Sequence, residues 1–210
     1  MIDQARFELI KEKYGHCGSW AVWADGGERP KDNIGDLSIF QNENRESLLS
    51  QLNPDVVLVG LSLSSRGIQD PLRNFHDGRA RYSQDYKLRY ALKGTSLWGA
   101  YMTDIIKKIE EKASGKVMAY LHSHKNVEKE NIDRFREELR DLGVDYPTVI
   151  AFGEAAFTVL TRNLRKQYGV LKLPHYAKYI SKENYREECR PVIEGIDNQP
   201  GVYLRERPRP

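Results

Sequence analysis

Apolar positions along this chain fall into two kinds of run, and the two alternate. Short aliphatic blocks read as strands: 55–61 (DVVLVGL), 97–104 (LWGAYMTD), 117–121 (VMAYL), 149–152 (VIAF) and 170–173 (VLKL). The first is nearly all aliphatic, as expected of a strand covered on both faces. Ser19 to Trp23 adds a further strand, followed by a turn at Asp25-Gly26-Gly27. Apolar residues at helical spacing mark the other kind of run. Residues 3–14 predict an amphipathic helix with Phe7, Ile10 and Tyr14 on one side. A short helix over 46–52 ends at Asn53-Pro54, and further helices are expected over 82–93 and 105–112. Residues 127–143 carry Ile132, Phe135, Leu139 and Leu142 at helical spacing, with Gly143 just past the end. A last helix, 181–189, has Ser181 as its N-cap.

Residues 147–176 organise the rest. The run 149–152 stops at Gly153, strong helix formers continue to Leu164, and 170–173 stops at Pro174-His175. Strand, helix and strand of these lengths suit a parallel βαβ unit, so the fold class is α/β. Ligands of such sheets sit beyond the carboxyl ends of the strands, where Gly153 and His175 fall.

Composition narrows the class. The 210 residues suit a single domain over 1–210, read as an N-terminal helix and covering segment (1–54), a core (55–195) and a basic tail (196–210) with Arg205, Arg207 and Arg209. A hydrophobic content of 40% beside 30% charged residues is that of a globular protein, and no apolar run reaches membrane-spanning length. Two cysteines, Cys17 and Cys189, offer no disulfide framework, so a reducing cytoplasm is expected. The net charge of +3 points only weakly to a polyanionic partner.

The loop after the first long strand, SLSSRGIQDPLRNFHD, concentrates candidate chemistry. Gly60 and Gly67 let a ligand approach the backbone, Ser62, Ser64 and Ser65 offer hydroxyls, and Arg66 and Arg73 suit oxyanions. The alternative is a polar loop held by its own hydrogen bonds. Asp104 at a strand end is either an N-cap or a site residue. His122 and His124 lack a third metal ligand and are expected in a loop, so neither metal nor cofactor is called for. The polar segment through Asp36 is a surface connection or a cover for part of the site.

The order of these pieces resembles the uracil-DNA glycosylase superfamily. VVLVGLSLSSRG matches its strand and glycine-containing loop, and YMTDIIK its strand with Thr-Asn, here Thr103-Asp104. FREELRDLGVDYPTVIAFGEAAFTVL matches its helix, strand, glycine and helix, and VLKLPHYA its closing strand that delivers a histidine. The resemblance covers most of the chain, from Asp55 to Cys189. It implies a three-layer α/β/α sandwich with a central parallel sheet of about four strands, and a site for a base turned out of a nucleic acid stack. It also implies that His175 stabilises negative charge on the departing base. Two departures stand out: Ser62, Ser64 and Ser65 occupy the loop where the family places a water-positioning Asn, Asp or Glu, and His175 is followed by Tyr176-Ala177 instead of Pro-Ser.

Three functions remain open. In the first, a monomeric DNA glycosylase-like hydrolase acts on uracil-containing or otherwise damaged DNA. His175 is its donor, Ser62 or Asp77 handles water, and Gly60, Ser64, Ser65, Arg66, Asn74, Phe75 and Gly153 line the base and nucleic-acid site. In the second, the same pocket binds DNA or a nucleotide without chemistry. In the third, the substrate is a free nucleoside or nucleotide.

Overall fold

The computed structural model describes residues 2–41, 43, 45–63, 70–78, 82–107, 109, 111 and 113–198. Helix α1 (Gln4–Tyr14) is N-capped by Asp3, whose Oδ1 accepts the Arg6 N–H at 2.8 Å, and it buries Phe7 and Ile10. Strand β1 (Ser19–Trp20) follows, then a 3-10 turn (Ser38–Phe40) and α2 (Arg45–Gln51). Next come β2 (Asn53–Ser62), α3 (Tyr86–Leu92), β3 (Ala100–Ile106), α4 (Ser114–Ser123) and α5 (Lys125–Leu142). The chain then forms β4 (Thr148–Phe152), α6 (Gly153–Leu164), β5 (Val170–Leu173) and α7 (Lys182–Asn198).

The sheet has five strands in the order β1-β3-β2-β4-β5. Strands β3, β2, β4 and β5 are parallel, while β1 pairs antiparallel with β3 at the edge. Strand alternation sends two sets of side chains to two cores. Val57, Val59, Leu61, Tyr101, Val149 and Ala151 meet α1, α2, α4, α5 and α6 on one face. Val56, Leu58, Met102, Ile150 and Phe152 meet α3 and α7 on the other. Each fully buried aliphatic side chain in these layers contributes about 1.5–3 kcal/mol.

Several expectations need correction. The sheet has five strands, not about four, because Ser19-Trp20 pairs with β3; the rest of the expected 19–23 strand is irregular. The helix expected over 105–112 is absent among the described residues. Ile105 and Ile106 are wholly buried and stay in β3, whose ladder with β2 runs to Ser62 and Ile106. The run 117–121 is helical: Val117 and Leu121, one turn apart, are buried, and Met118 and Tyr120 are not. His122 therefore lies in α4, and His124, at the junction with α5, stacks on Tyr120 at 4.0 Å. Helix α3 is shorter than expected, and α7 runs nine residues beyond Cys189, to Asn198. Of the expected basic tail (196–210), residues 196–198 belong to α7, and residues 199–210 lie outside the described residues.

Candidate functional site

The chain leaves β2 for β3 on one side and reaches β4 on the other, so order reverses between β2 and β4. Crevices of α/β sheets open at such a point, beyond the carboxyl ends. Three segments converge there: 70–78 after β2, the β4–α6 junction, and 174–181 after β5.

Residues 70–78 form no regular structure, and the stretch from Gly15 to Trp23 stitches them down. Leu72 N–H donates to the Gly15 carbonyl at 2.8 Å, Ser19 Oγ donates to the Leu72 carbonyl at 2.7 Å, and Trp23 Nε1 donates to the Phe75 carbonyl at 3.2 Å. The buried His76 ring faces the Val22 carbonyl through Nε2 at 2.8 Å, and burial lowers its pKa to about 4. The covering segment near Trp23 thus sets the site loop in place. Held this way, Phe75 adopts a φ of 65°, a left-handed conformation unusual for a bulky residue. Its ring lies 6.2 Å from those of Phe152 and Tyr176, which are 5.4 Å apart. These three rings form an aromatic floor.

Beside it lies a polar pair. Asp104 projects from β3 beneath Gly60 of β2, where a Cβ would overlap Asp104 Oδ1. Asn74 Nδ2 donates to Asp104 Oδ2 at 2.9 Å and to the Cys17 carbonyl at 2.7 Å. Burial raises the Asp104 pKa to about 6, with the Asn74 hydrogen bond acting against it. Near neutral pH this carboxyl can therefore carry or release a proton. Below it, on the opposite face, Lys107 Nζ sits 2.7 Å from Glu138 Oε2, and Tyr101 donates to Glu138 Oε1 at 2.7 Å. Lys107 Nζ also donates to the Asp104 carbonyl at 2.7 Å. Burial, the largest single influence, opposes the Lys107 charge, but Glu138, Cys17 and Asp104 together outweigh it and the pKa rises. The nearby Cys17 thiol, raised to about 12 by burial, is inert.

At the other corner, Gly153 turns β4 directly into α6 with a φ of 81°. A Cβ there would sit 3.1 Å from His175 Cβ, so glycine serves both the turn and the close approach. His175 stacks on Tyr176 at 4.7 Å, and its Nδ1 accepts the Ala177 N–H at 3.1 Å. That hydrogen bond places the proton of the neutral ring on Nε2, which is then a donor. Neighbouring chain atoms strip water from one side of the exposed ring, and this burial lowers its pKa. Tyr185 and Lys87 brace the loop by donating to the Pro174 and Lys178 carbonyls at 3.1 and 2.8 Å.

Gly60, Asn74, Phe75, Gly153 and His175 thus belong to one row of contacts. Ser62 Oγ donates to the Glu111 carbonyl at 3.0 Å, and the Asp77 N–H donates to Asp85 Oδ2 at 2.8 Å. Arg73 pairs with Asp70. Ser64, Ser65 and Arg66 lie outside the described residues. Asp104 was open between cap and site; it is no cap, since it lies within β3. The sequence reading does not single out Phe152 or Tyr176; the available signal is an aromatic residue at the end of β4 and another three residues beyond β5. Among the described residues, no three His, Cys, Asp or Glu side chains gather as a metal site, and no helix is long and apolar enough to cross a membrane.

The fold and site thus define an α/β protein with an aromatic floor, a buried acid held by a half-buried amide, and a histidine donor at the rim. Comparison of the chain with protein-family models, curated proteins and solved structures finds no match.

Proposed function

We propose that the protein is a uracil-DNA glycosylase-like hydrolase that holds a base turned out of a DNA strand and cleaves its N-glycosidic bond. One observation carries this reading: the carboxyl ends of the parallel strands bring Asp104 and Asn74 beside the Phe75, Phe152 and Tyr176 rings, with His175 stacked on Tyr176. A base extruded from its stack is recognised by aromatic faces and by polar groups at its edge. Ionised, Asp104 accepts from a base N–H; protonated, it donates to a ring nitrogen or carbonyl. His175, kept neutral by its lowered pKa, donates from Nε2 to the oxygen on which negative charge grows as the bond breaks. The parallel strands and helices on both faces support a glycosylase-like sandwich, to which β1 is an added edge. The free, buried cysteines fit a monomer in a reducing cytoplasm.

A second reading, binding without cleavage, is favoured by Ser62. Its hydroxyl is directed at the Glu111 carbonyl, and a hydroxyl polarises water less than a carboxylate does. Incubation with single- and double-stranded oligonucleotides carrying uracil, hypoxanthine or a mismatch separates the two. Abasic sites that vanish in His175→Ala establish the hydrolase; binding without abasic sites selects the second reading. Neither binding nor base release would sink both.

A further inference from the structure

Away from the base pocket, a cavity of about 330 Å³ opens between the 26–30 segment, α3 and α7, and its lining carries five cations, Arg29, Arg89, Lys93, Lys182 and Arg186, against one carboxylate, Glu28. Arg89 is buried there, and its guanidinium donates at 3.0 Å to two backbone carbonyls, Ala24 through Nη1 and Pro30 through Nη2. Burial lowers its pKa, with the Asp25 and Asp32 carboxylates acting against it; neither is in ion-pair contact with Arg89, and Asp25 pairs with Lys93 instead. Among the described residues, Arg186 hydrogen-bonds to the Tyr90 carbonyl at 3.4 Å and makes no ion pair, with its guanidinium 5.6 Å from the Tyr90 ring. Lys182 Nζ lies 4.5 Å above the same ring. Its carboxylate neighbour is the adjacent Glu183 at 3.6 Å. Arg29 joins them from the loop, and Gly26 lets the backbone close in, since a Cβ there would sit 3.1 Å from Arg89 Nη2.

Burying a guanidinium with no carboxylate in contact is costly, and three more cations around it, Arg29, Lys182 and Arg186, add repulsion. Such a cluster is relieved by an anion. Guanidinium forks match phosphate oxygens, and the cavity is at the small end of ligand-binding sizes. We propose that this cavity is an anion site for the phosphate groups of a ligand, separate from the base pocket. The phosphates come either from a nucleic acid backbone or from a free phosphorylated molecule, and the chemistry is the same in both.

The test titrates the full chain with inorganic pyrophosphate and, separately, with a short single-stranded oligonucleotide over a range of salt. A Lys182→Gln/Arg186→Gln double variant is compared with Arg29→Gln on the opposite wall. All three side chains are at least partly exposed, so folding is retained, and circular dichroism checks this. Both variants are expected to lose about tenfold or more in affinity, with the salt slope falling by about one for each phosphate contact removed. Loss for the oligonucleotide assigns a strand backbone; loss for pyrophosphate alone assigns a free phosphorylated molecule. Unchanged affinity and salt slope for both probes, or no binding of either by the wild type, overturns the proposal. The base-release assay does not bear on it, since the double variant leaves Asp104 and His175 untouched.

Discussion

The two corners of the candidate site are built differently. At the β4–β5 corner, Gly153 and His175 are placed by the local turns that end their strands, and the histidine is exposed. At the β2–β3 corner, Asp104 is buried and held by Asn74, thirty residues away, above a Lys107–Glu138 pair buried in the opposite layer. One corner rests on backbone geometry, the other on desolvated charge. Substitutions should therefore act through strain at the first and through electrostatics at the second.

The largest effect is expected at the second corner. Glu138→Ala leaves Lys107 buried without its carboxylate and removes the acceptor of the Tyr101 hydroxyl. Urea unfolding should show a loss of about 3–5 kcal/mol. A loss below about 1 kcal/mol would remove the electrostatic half of the comparison.

Next comes a pH effect. The rise of the Asp104 pKa from 3.8 to about 6 corresponds to about 3 kcal/mol. Because the folded value is raised, this stability is fully present below pH 4 and is lost as pH rises through 6. Asp104→Asn lacks that loss, so its stability relative to wild type should climb between pH 4 and pH 6 and then level off. His76, lowered from 6.5 to about 4, has the opposite sign: its stability is present above pH 6.5 and is lost as pH falls through 4. It is common to both proteins and cancels in the difference. A pH-independent difference between them would contradict the assignment.

At the first corner the expected changes are smaller. Gly153→Ala forces a Cβ into a left-handed conformation against His175, at a cost of about 1–2 kcal/mol. Calorimetric unfolding checks this, and an unchanged or raised Tm would show that the turn does not need glycine. Smallest in stability is His175→Ala, expected within about 0.5 kcal/mol of wild type because the ring is exposed. Its effect should fall on base release alone.

The same contrast explains what the sequence disclosed. Gly153, His175 and the β4-α6-β5 unit were legible because runs and stops lie next to one another in the chain. So was α5, ended by Gly143 at a φ of 79°. The Asp104 environment was not. It depends on Gly60 leaving room from one strand, on Asn74 from a loop, and on the Cys17 carbonyl near the edge strand. Strand β3 ran past Asp104 because Ile105 and Ile106 are both buried, a long-range fact that propensity does not encode. Residues 117–121 misled because a short apolar run fits strand and helix alike; burial of Val117 and Leu121 one turn apart decides for the helix.

In the proposed base pocket, one ligand spans both corners. Isotope-labelled protein titrated with a short uracil-containing oligonucleotide tests it by nuclear magnetic resonance. The backbone amides of Gly60, Phe75, Gly153 and Ala177 are expected to shift together and to saturate at one concentration. Saturable binding that leaves these four amides unmoved would contradict it.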